Sequence, residues 1–168
     1  MLNKTSLASY KNIFSVAIPM ILSAISIPML GIVDTAILGH LDDPIYLASI
    51  NIGATIFNVI FWGFGFLKMS TTGLVAQSYG ANNQNKVDQQ VTQALIIAVL
   101  IALILLLFQK WIGVIALRLT SEGGMAAQMA SQYFDIRILS APATLIIYVL
   151  FGYFLAIQKA NTVLIIML

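Results

Sequence analysis

Four uncharged stretches of 21 to 24 residues constrain this chain more than any other feature of its sequence. They run from Asn12 to Val33, from Pro44 to Leu67, from Gln89 to Gln109 and from Ile138 to Gln158. A helix rises about 1.5 Å per residue, so about 20 apolar residues cover the hydrocarbon core of a bilayer. Because a helix satisfies all its backbone hydrogen bonds internally, the stretches predict an all-α, polytopic bundle of transmembrane helices.

The flanking residues extend these stretches into four predicted spans and the start of a fifth. We place them at about residues 12–38, 45–68, 89–109 and 136–158, with the fifth beginning near residue 162. Residues 111–134 are harder to place, because apolar runs alternate there with Arg118, Glu122 and other polar side chains. For that segment we expect an interfacial stretch followed by an extended start of the fourth helix.

Composition excludes several classes of protein. Of 168 residues, 60% are hydrophobic and 8% are charged, against about a quarter charged in an ordinary soluble domain. The net charge of +2 comes from eight scattered bases, which is no nucleic-acid signal. There is no cysteine for a disulfide, and the single His40 cannot by itself build a histidine-rich metal site. Motifs of hydrolases, nucleotide-binding proteins and zinc enzymes are missing, so we expect neither a catalytic residue nor a bound cofactor.

The distribution of basic residues predicts an orientation. An N-terminus in the cytoplasm places four lysines inside, and Lys110 and Arg118 at the outer side. Those four lysines are Lys4, Lys11, Lys86 and Lys159. We therefore expect a multi-pass protein of the inner (plasma) membrane with a cytoplasmic N-terminus.

Asp34 is the acidic residue that lies within the first hydrophobic segment, 21 residues after Ile13. A carboxylate deep in a bilayer is costly, and such residues mark ion pathways more often than chance. One interpretation is an interfacial acid that ends the helix. The other is an ion site facing a cavity, which would exchange a proton or hold Na⁺.

Other polar residues carry weaker signals. Asn51, Thr55 and Asn58 are spaced as one stripe of the second helix, which either lines a cavity or hydrogen-bonds to neighbouring helices. Lys68 is expected to extend to the cytoplasmic interface, and Arg137 to extend outward or to pair with a nearby acid such as Asp135. In the third span, the small side chains of Ala94, Ala98 and Ala102 predict close helix packing.

Five short stretches resemble one family when they are taken in order. They are Ala17-Ile18-Pro19, Val33 to Leu41 (VDTAILGHL), Thr71 to Gln77 (TTGLVAQ), Ile136 to Ala143 (IRILSAPA) and Gly152 to Gln158 (GYFLAIQ). Together they resemble the multidrug and toxic compound extrusion (MATE) family, and its DinF-type branch in particular. The resemblance runs nearly from end to end of the chain.

The resemblance implies a cation-coupled antiporter of twelve helices in two lobes, which exports lipophilic, often cationic compounds while H⁺ or Na⁺ enters. Asp34 matches the family's first-helix cation-site aspartate, and Pro19 matches the proline at which that helix bends. Residues 1–168 then correspond to part of the N-lobe, an N-terminal fragment unable to transport alone. Its expected partners are the lipid bilayer, the small substrates and the remaining C-terminal helices.

A second hypothesis stays open on the residues alone. The chain could be a small non-catalytic membrane protein that forms oligomers or assembles with other subunits. Four helices cannot by themselves supply the two bundles that alternating access needs.

Overall fold

The computed structural model describes residues 44–120 and 123–167, together with residues 14, 17–22, 25, 29, 32–33 and 36. Every described residue of the first predicted span is helical. Most of its described large apolar side chains, such as Phe14, Met29 and Ile32, are about half exposed or more. Exposure of this kind is ordinary for a helix whose surroundings are lipid.

Seven α-helices have bounds within the described part of the chain. They are α1 (Pro44–Gly63), α2 (Gly65–Gly80), α3 (Gln84–Leu107), α4 (Gln109–Thr120), α5 (Met125–Arg137), α6 (Ala141–Ala156) and α7 (Ala160–Met167). A single 3₁₀ turn, Ile138–Ser140, joins α5 to α6. No strand occurs among the described residues, so the predicted all-α class is confirmed.

Three continuous helical stretches in this part of the chain are long and apolar enough to cross a membrane. They are Ile45–Gly80, Gln84–Leu107 and Met125–Ala156. These stretches overlap the second, third and fourth predicted spans, and α7 lies where the fifth was expected to begin. The structure thus supports a transmembrane helix bundle, while most of the first span lies outside the described residues.

Two of these helices are longer than the apolar stretches that predicted them. The second continues past Lys68 to Gly80. Within it the hydroxyls of Thr71 and Thr72 donate to carbonyls one turn earlier, at 2.7 and 2.8 Å, so these polar side chains are satisfied inside the helix. The fourth begins at Met125, before the first uncharged residue, Ile138, of its window. Charges therefore bound the apolar part of each helix but not the helix itself.

The stretches Ile45–Gly80 and Met125–Ala156 run parallel to each other, and α3 runs antiparallel to both. Helix α1 packs against α5, and α2 packs against α6, while α3 lies against α2 and α6. One core cluster includes Phe57, Phe61 and Phe134, and a smaller one at the opposite end joins Val75, Val87 and Ala156. Ala98 and Ala102 are buried, as the small-residue pattern predicted.

Gly152 lets α6 approach the backbone of α2 closely. A Cβ at Gly152 would stand 2.8 Å from the carbonyl oxygen of Lys68 and 2.9 Å from the Cβ of Thr71. Backbone atoms cannot move away as the end of a side chain can. Any larger residue would therefore push the two helices apart.

We expect Gly152→Ala to destabilise the full-length protein that carries this sequence by about 1–3 kcal/mol, because the added methyl group overpacks the contact between α2 and α6. The measurement is the thermal unfolding midpoint in detergent. Gly73→Ala is the matched control, since nothing lies within 4 Å of a Cβ there. Equal midpoints for the two variants would show that Gly152 does not set the helix separation.

Candidate functional site

A groove lies between the two parallel helical stretches, Ile45–Gly80 and Met125–Ala156. It comprises two adjacent cavities that share Phe61 and Tyr148 in their walls. The polar cavity, about 160 Å³, is also lined by Phe57, Asn58, Arg137, Ser140 and Thr144. The aromatic cavity, about 600 Å³, is also lined by Trp62, Gly65, Phe66, Lys68, Met69, Ile147 and Phe151.

Arg137 is held in place at the polar cavity by aromatic rings. Its guanidinium donates a hydrogen bond to the hydroxyl of Tyr133. The same group lies 5.2 Å from the ring centroid of Phe57 and 5.5 Å from that of Tyr133. Guanidinium groups bind aromatic faces in this way, so these contacts position the charge of Arg137 although the residue is exposed.

Hydroxyl groups continue the polar wall along the helix. Ser140 donates to the carbonyl of Arg137 at 2.7 Å, and Thr144 donates to the carbonyl of Ser140 at 3.1 Å. Each hydroxyl proton is thus used within its own helix, which leaves the oxygen able to accept a hydrogen bond. The polar cavity therefore offers acceptor oxygens beside a fixed positive charge.

The predicted stripe of α1 reaches this groove at one position. Asn58 lines the polar cavity. Thr55 instead donates to the carbonyl of Asn51 at 2.8 Å, within its own helix, and all three side chains are exposed. A cavity-lining role for Asn51 and Thr55 stays a prediction.

Lys68 packs against a ring of a neighbouring helix, and its expected extension to the cytoplasmic interface stays a prediction. Its side chain is half-buried, and Nζ lies 3.8 Å from the ring centroid of Phe151. Within the described ranges, 44–120 and 123–167, the acidic residues are Asp88 and Asp135, and neither forms an ion pair with Lys68 or Arg137. Asp88 accepts a hydrogen bond from Gln84 at 3.2 Å, and Asp135 is exposed on α5.

Reasoning from the sequence did not single out Ser140, Thr144 and Tyr148 as members of the groove. They follow Arg137 at intervals of three, four and four residues, which is the spacing of one helix face. That periodicity was readable from the sequence. The periodicity is a weak signal, because serine, threonine and tyrosine are common in membrane helices. The stripe indicates a site only once the structure places it opposite Asn58 and Phe61 in one cavity.

The first span holds the other predicted site residues. Pro19 is helical and buried. Asp34 lies outside the described residues, so its cation-coupling role stays a prediction, as does the bending role of Pro19.

Comparison with known proteins gives this groove a family context. The family model described as MatE matches residues 19–168, which is most of the chain. The chain belongs to the MatE family. The resemblance stated from its sequence motifs is thereby confirmed.

Similar proteins are longer than this MatE chain. DNA damage-inducible protein F of Escherichia coli strain K12 is 40% identical over 154 residues, which cover 92% of this chain and 34% of that protein. The multidrug resistance protein NorM of Vibrio cholerae is 35% identical over 101 residues, 58% of this chain and 22% of its own. A probable multidrug resistance protein NorM of Buchnera aphidicola is 27% identical over 143 residues, 84% of this chain and 31% of its own. The chain thus spans about a third or less of these curated relatives, and no solved structure matches it.

The contact between Arg137 and Tyr133 can be measured by a double-mutant cycle in the full-length MatE protein. We expect Arg137→Ala and Tyr133→Phe to be coupled by about 0.5–1 kcal/mol, because both remove the same hydrogen bond. The free energies come from thermal or denaturant unfolding in detergent. Arg118→Ala with Tyr133→Phe is the control pair and should be additive. Additivity in both pairs would contradict the contact.

Proposed function

We propose that this chain forms the N-terminal part of a cation-coupled antiporter that exports lipophilic, often cationic drugs and other foreign compounds. The observation that carries the proposal is the MatE family match over residues 19–168. One similar protein is named a multidrug resistance protein, and another a probable multidrug resistance protein. The groove adds physical support, because its aromatic walls suit lipophilic compounds.

Aromatic side chains make up much of the groove. Phe57, Phe61 and Tyr148 line the polar cavity. Three further aromatic residues line the aromatic cavity, namely Trp62, Phe66 and Phe151. Flat lipophilic molecules gain free energy from stacking on such rings and from leaving water. This chemistry is tolerant of substrate shape, which is what a multidrug site requires.

The charges of the groove require a further partner for a cationic substrate. Arg137 and Lys68 both line it, and the described residues supply no acidic side chain to its walls. A bound cation would be repelled unless a carboxylate were nearby. We propose that Asp34, on the first span, supplies that negative charge.

Coupling follows from the competition for one carboxylate. If Asp34 holds a proton or Na⁺, the site loses the charge that attracts a cationic substrate, and the substrate is released. If the ion leaves, the substrate can bind again. Exchange of one cation for the other is then obligatory, whether the coupling ion is H⁺ or Na⁺.

Pro19 would connect this exchange to the shape of the helix. Proline removes one backbone hydrogen bond and lets a transmembrane helix bend. Bending that depends on the charge of Asp34 would open or close the groove. Alternating access also needs a second bundle, so we propose that the remaining transporter helices complete the site in the inner membrane, with the N-terminus in the cytoplasm.

The test is efflux by the full-length protein in proteoliposomes, with a fluorescent lipophilic cation as substrate and an imposed H⁺ or Na⁺ gradient. Asp34→Asn should reduce gradient-driven efflux to the level of empty vesicles, because an amide cannot exchange the ion. Asp135→Asn should leave efflux unchanged, since that acid is exposed on α5, away from the walls of both cavities.

Two results would overturn parts of this proposal. Full efflux by Asp34→Asn would exclude the coupling role of Asp34. If the wild-type protein shows no efflux under either the H⁺ or the Na⁺ gradient and purifies as a stable oligomer of chains of this length, the hypothesis of a small assembling membrane protein is favoured.

A further inference from the structure

The position of Lys68 in the membrane follows from its neighbours on α3. One turn further along α2, Ser70 and Thr71 share a small cavity with Gln90, Gln93 and Ala94. On α3, residues 84–93 are mostly polar, and residues 94–107 are all apolar. Lys68 therefore lies close to the level at which α3 passes from polar to apolar surroundings, which is the boundary between headgroups and acyl chains.

The aromatic cavity gives Lys68 a ring for its charge but no anion. The Nζ atom lies 3.8 Å from the ring centroid of Phe151, and no ion pair with a described residue is present. Cation–π contact offsets part of the cost of removing an ammonium from water, but it leaves the charge uncompensated. An anionic group in the same cavity would compensate it.

The cavity has room for such a group, and its rim faces outward. Its volume is about 600 Å³. Three apolar residues of its wall are exposed, namely Trp62 at 86%, Met69 at 78% and Phe66 at 53%. Tyr148 lines the same cavity and carries a hydroxyl that can donate a hydrogen bond.

The order of these residues along the helix matches the shape of a lipid. Trp62 lies six residues before Lys68, about 9 Å along the helix axis toward the apolar centre of the bundle. A phosphate at Lys68 would place the first part of an acyl chain against Phe66 and Trp62. An ammonium at the headgroup boundary with apolar surface on its membrane side is the arrangement that recognises anionic lipids.

We propose that Lys68 and the aromatic cavity bind the phosphate headgroup of an anionic phospholipid, whose acyl chain lies over Phe66 and Trp62. This site is separate from ion coupling at Asp34, and it needs the chain to lie in a membrane with this face open to lipid. The lipid would neutralise the charge of Lys68 and occupy the aromatic cavity of the groove. Because the repulsion from Lys68 would be removed, binding of cationic substrates in the polar cavity would become more favourable.

The experiment uses full-length protein in nanodiscs of phosphatidylcholine with increasing phosphatidylglycerol, whose acyl chains carry bromine as a quencher. Trp62 is kept as the sole tryptophan, with the others, including Trp111, replaced by phenylalanine. In the parent, brominated phosphatidylglycerol should quench Trp62 at about one fifth of the mole fraction that brominated phosphatidylcholine needs, as expected for one lysine near the surface.

Three variants separate the pocket from general attraction of anionic lipids. In Lys68→Gln the two brominated lipids should quench Trp62 equally. In Lys68→Arg the preference for phosphatidylglycerol should remain, because the positive charge is kept. Lys159→Gln is the matched control: this exposed lysine follows α6 at the same end of the bundle, and its loss should leave most of the preference intact.

Several outcomes would overturn the proposal. Equal quenching by the two lipids in the parent would show no headgroup selectivity, and an unchanged preference in Lys68→Gln would assign it to other charges. A Trp62 that neither lipid quenches would show that the rest of the protein covers this face. Inorganic phosphate that abolishes the preference at millimolar concentration would identify a free anion, rather than a lipid, as the ligand.

Discussion

The contact between α2 and α6 at Gly152 is the interaction on which the groove depends. In a bilayer, apolar side chains gain little by leaving lipid for protein, so helix association relies on close packing of small residues. A glycine facing the Lys68 carbonyl and Thr71 lets two parallel helices meet backbone to backbone. Toward the other end of the two helical stretches, the bulky side chains of Phe57, Phe61 and Phe134 form the core. The groove lies between these two helical stretches, in the region between the contact at Gly152 and the three phenylalanine rings.

The two cations of this groove are tolerated for different reasons. Arg137 is exposed, donates to Tyr133 and lies against two rings, so its charge stays partly solvated while its stem and plane are packed. Lys68 is half-buried against one ring and has no described anion. The cost of desolvation is therefore concentrated at Lys68. This asymmetry is why an anionic ligand is proposed there and not at Arg137.

The fold could be predicted well from the sequence because a bilayer allows few solutions. Uncharged stretches of sufficient length predicted the helices, and the spacing of Ala98 and Ala102 predicted which face of α3 is buried. The groove could not be predicted in the same way. Lys68 and Arg137 each had an ordinary interfacial interpretation, and only the parallel packing of two non-adjacent helices brings Asn58 beside Arg137 and Phe151 beside Lys68. Hydropathy indicates depth, but it carries no information on which helices are neighbours.

The ion-coupling and lipid-binding proposals rest on charges of opposite sign, and this difference determines how they relate. A carboxylate at Asp34 would attract a cationic substrate, whereas the ammonium of Lys68 would repel it. If Asp34 acts on the same groove as proposed and Lys68 stayed uncompensated, the repulsion from Lys68 would cancel part of the attraction exerted by Asp34. An anionic lipid at Lys68 removes that opposition without neutralising Asp34. Efflux should therefore depend on membrane composition through Lys68 and on the ion gradient through Asp34, and each dependence can be lost while the other remains.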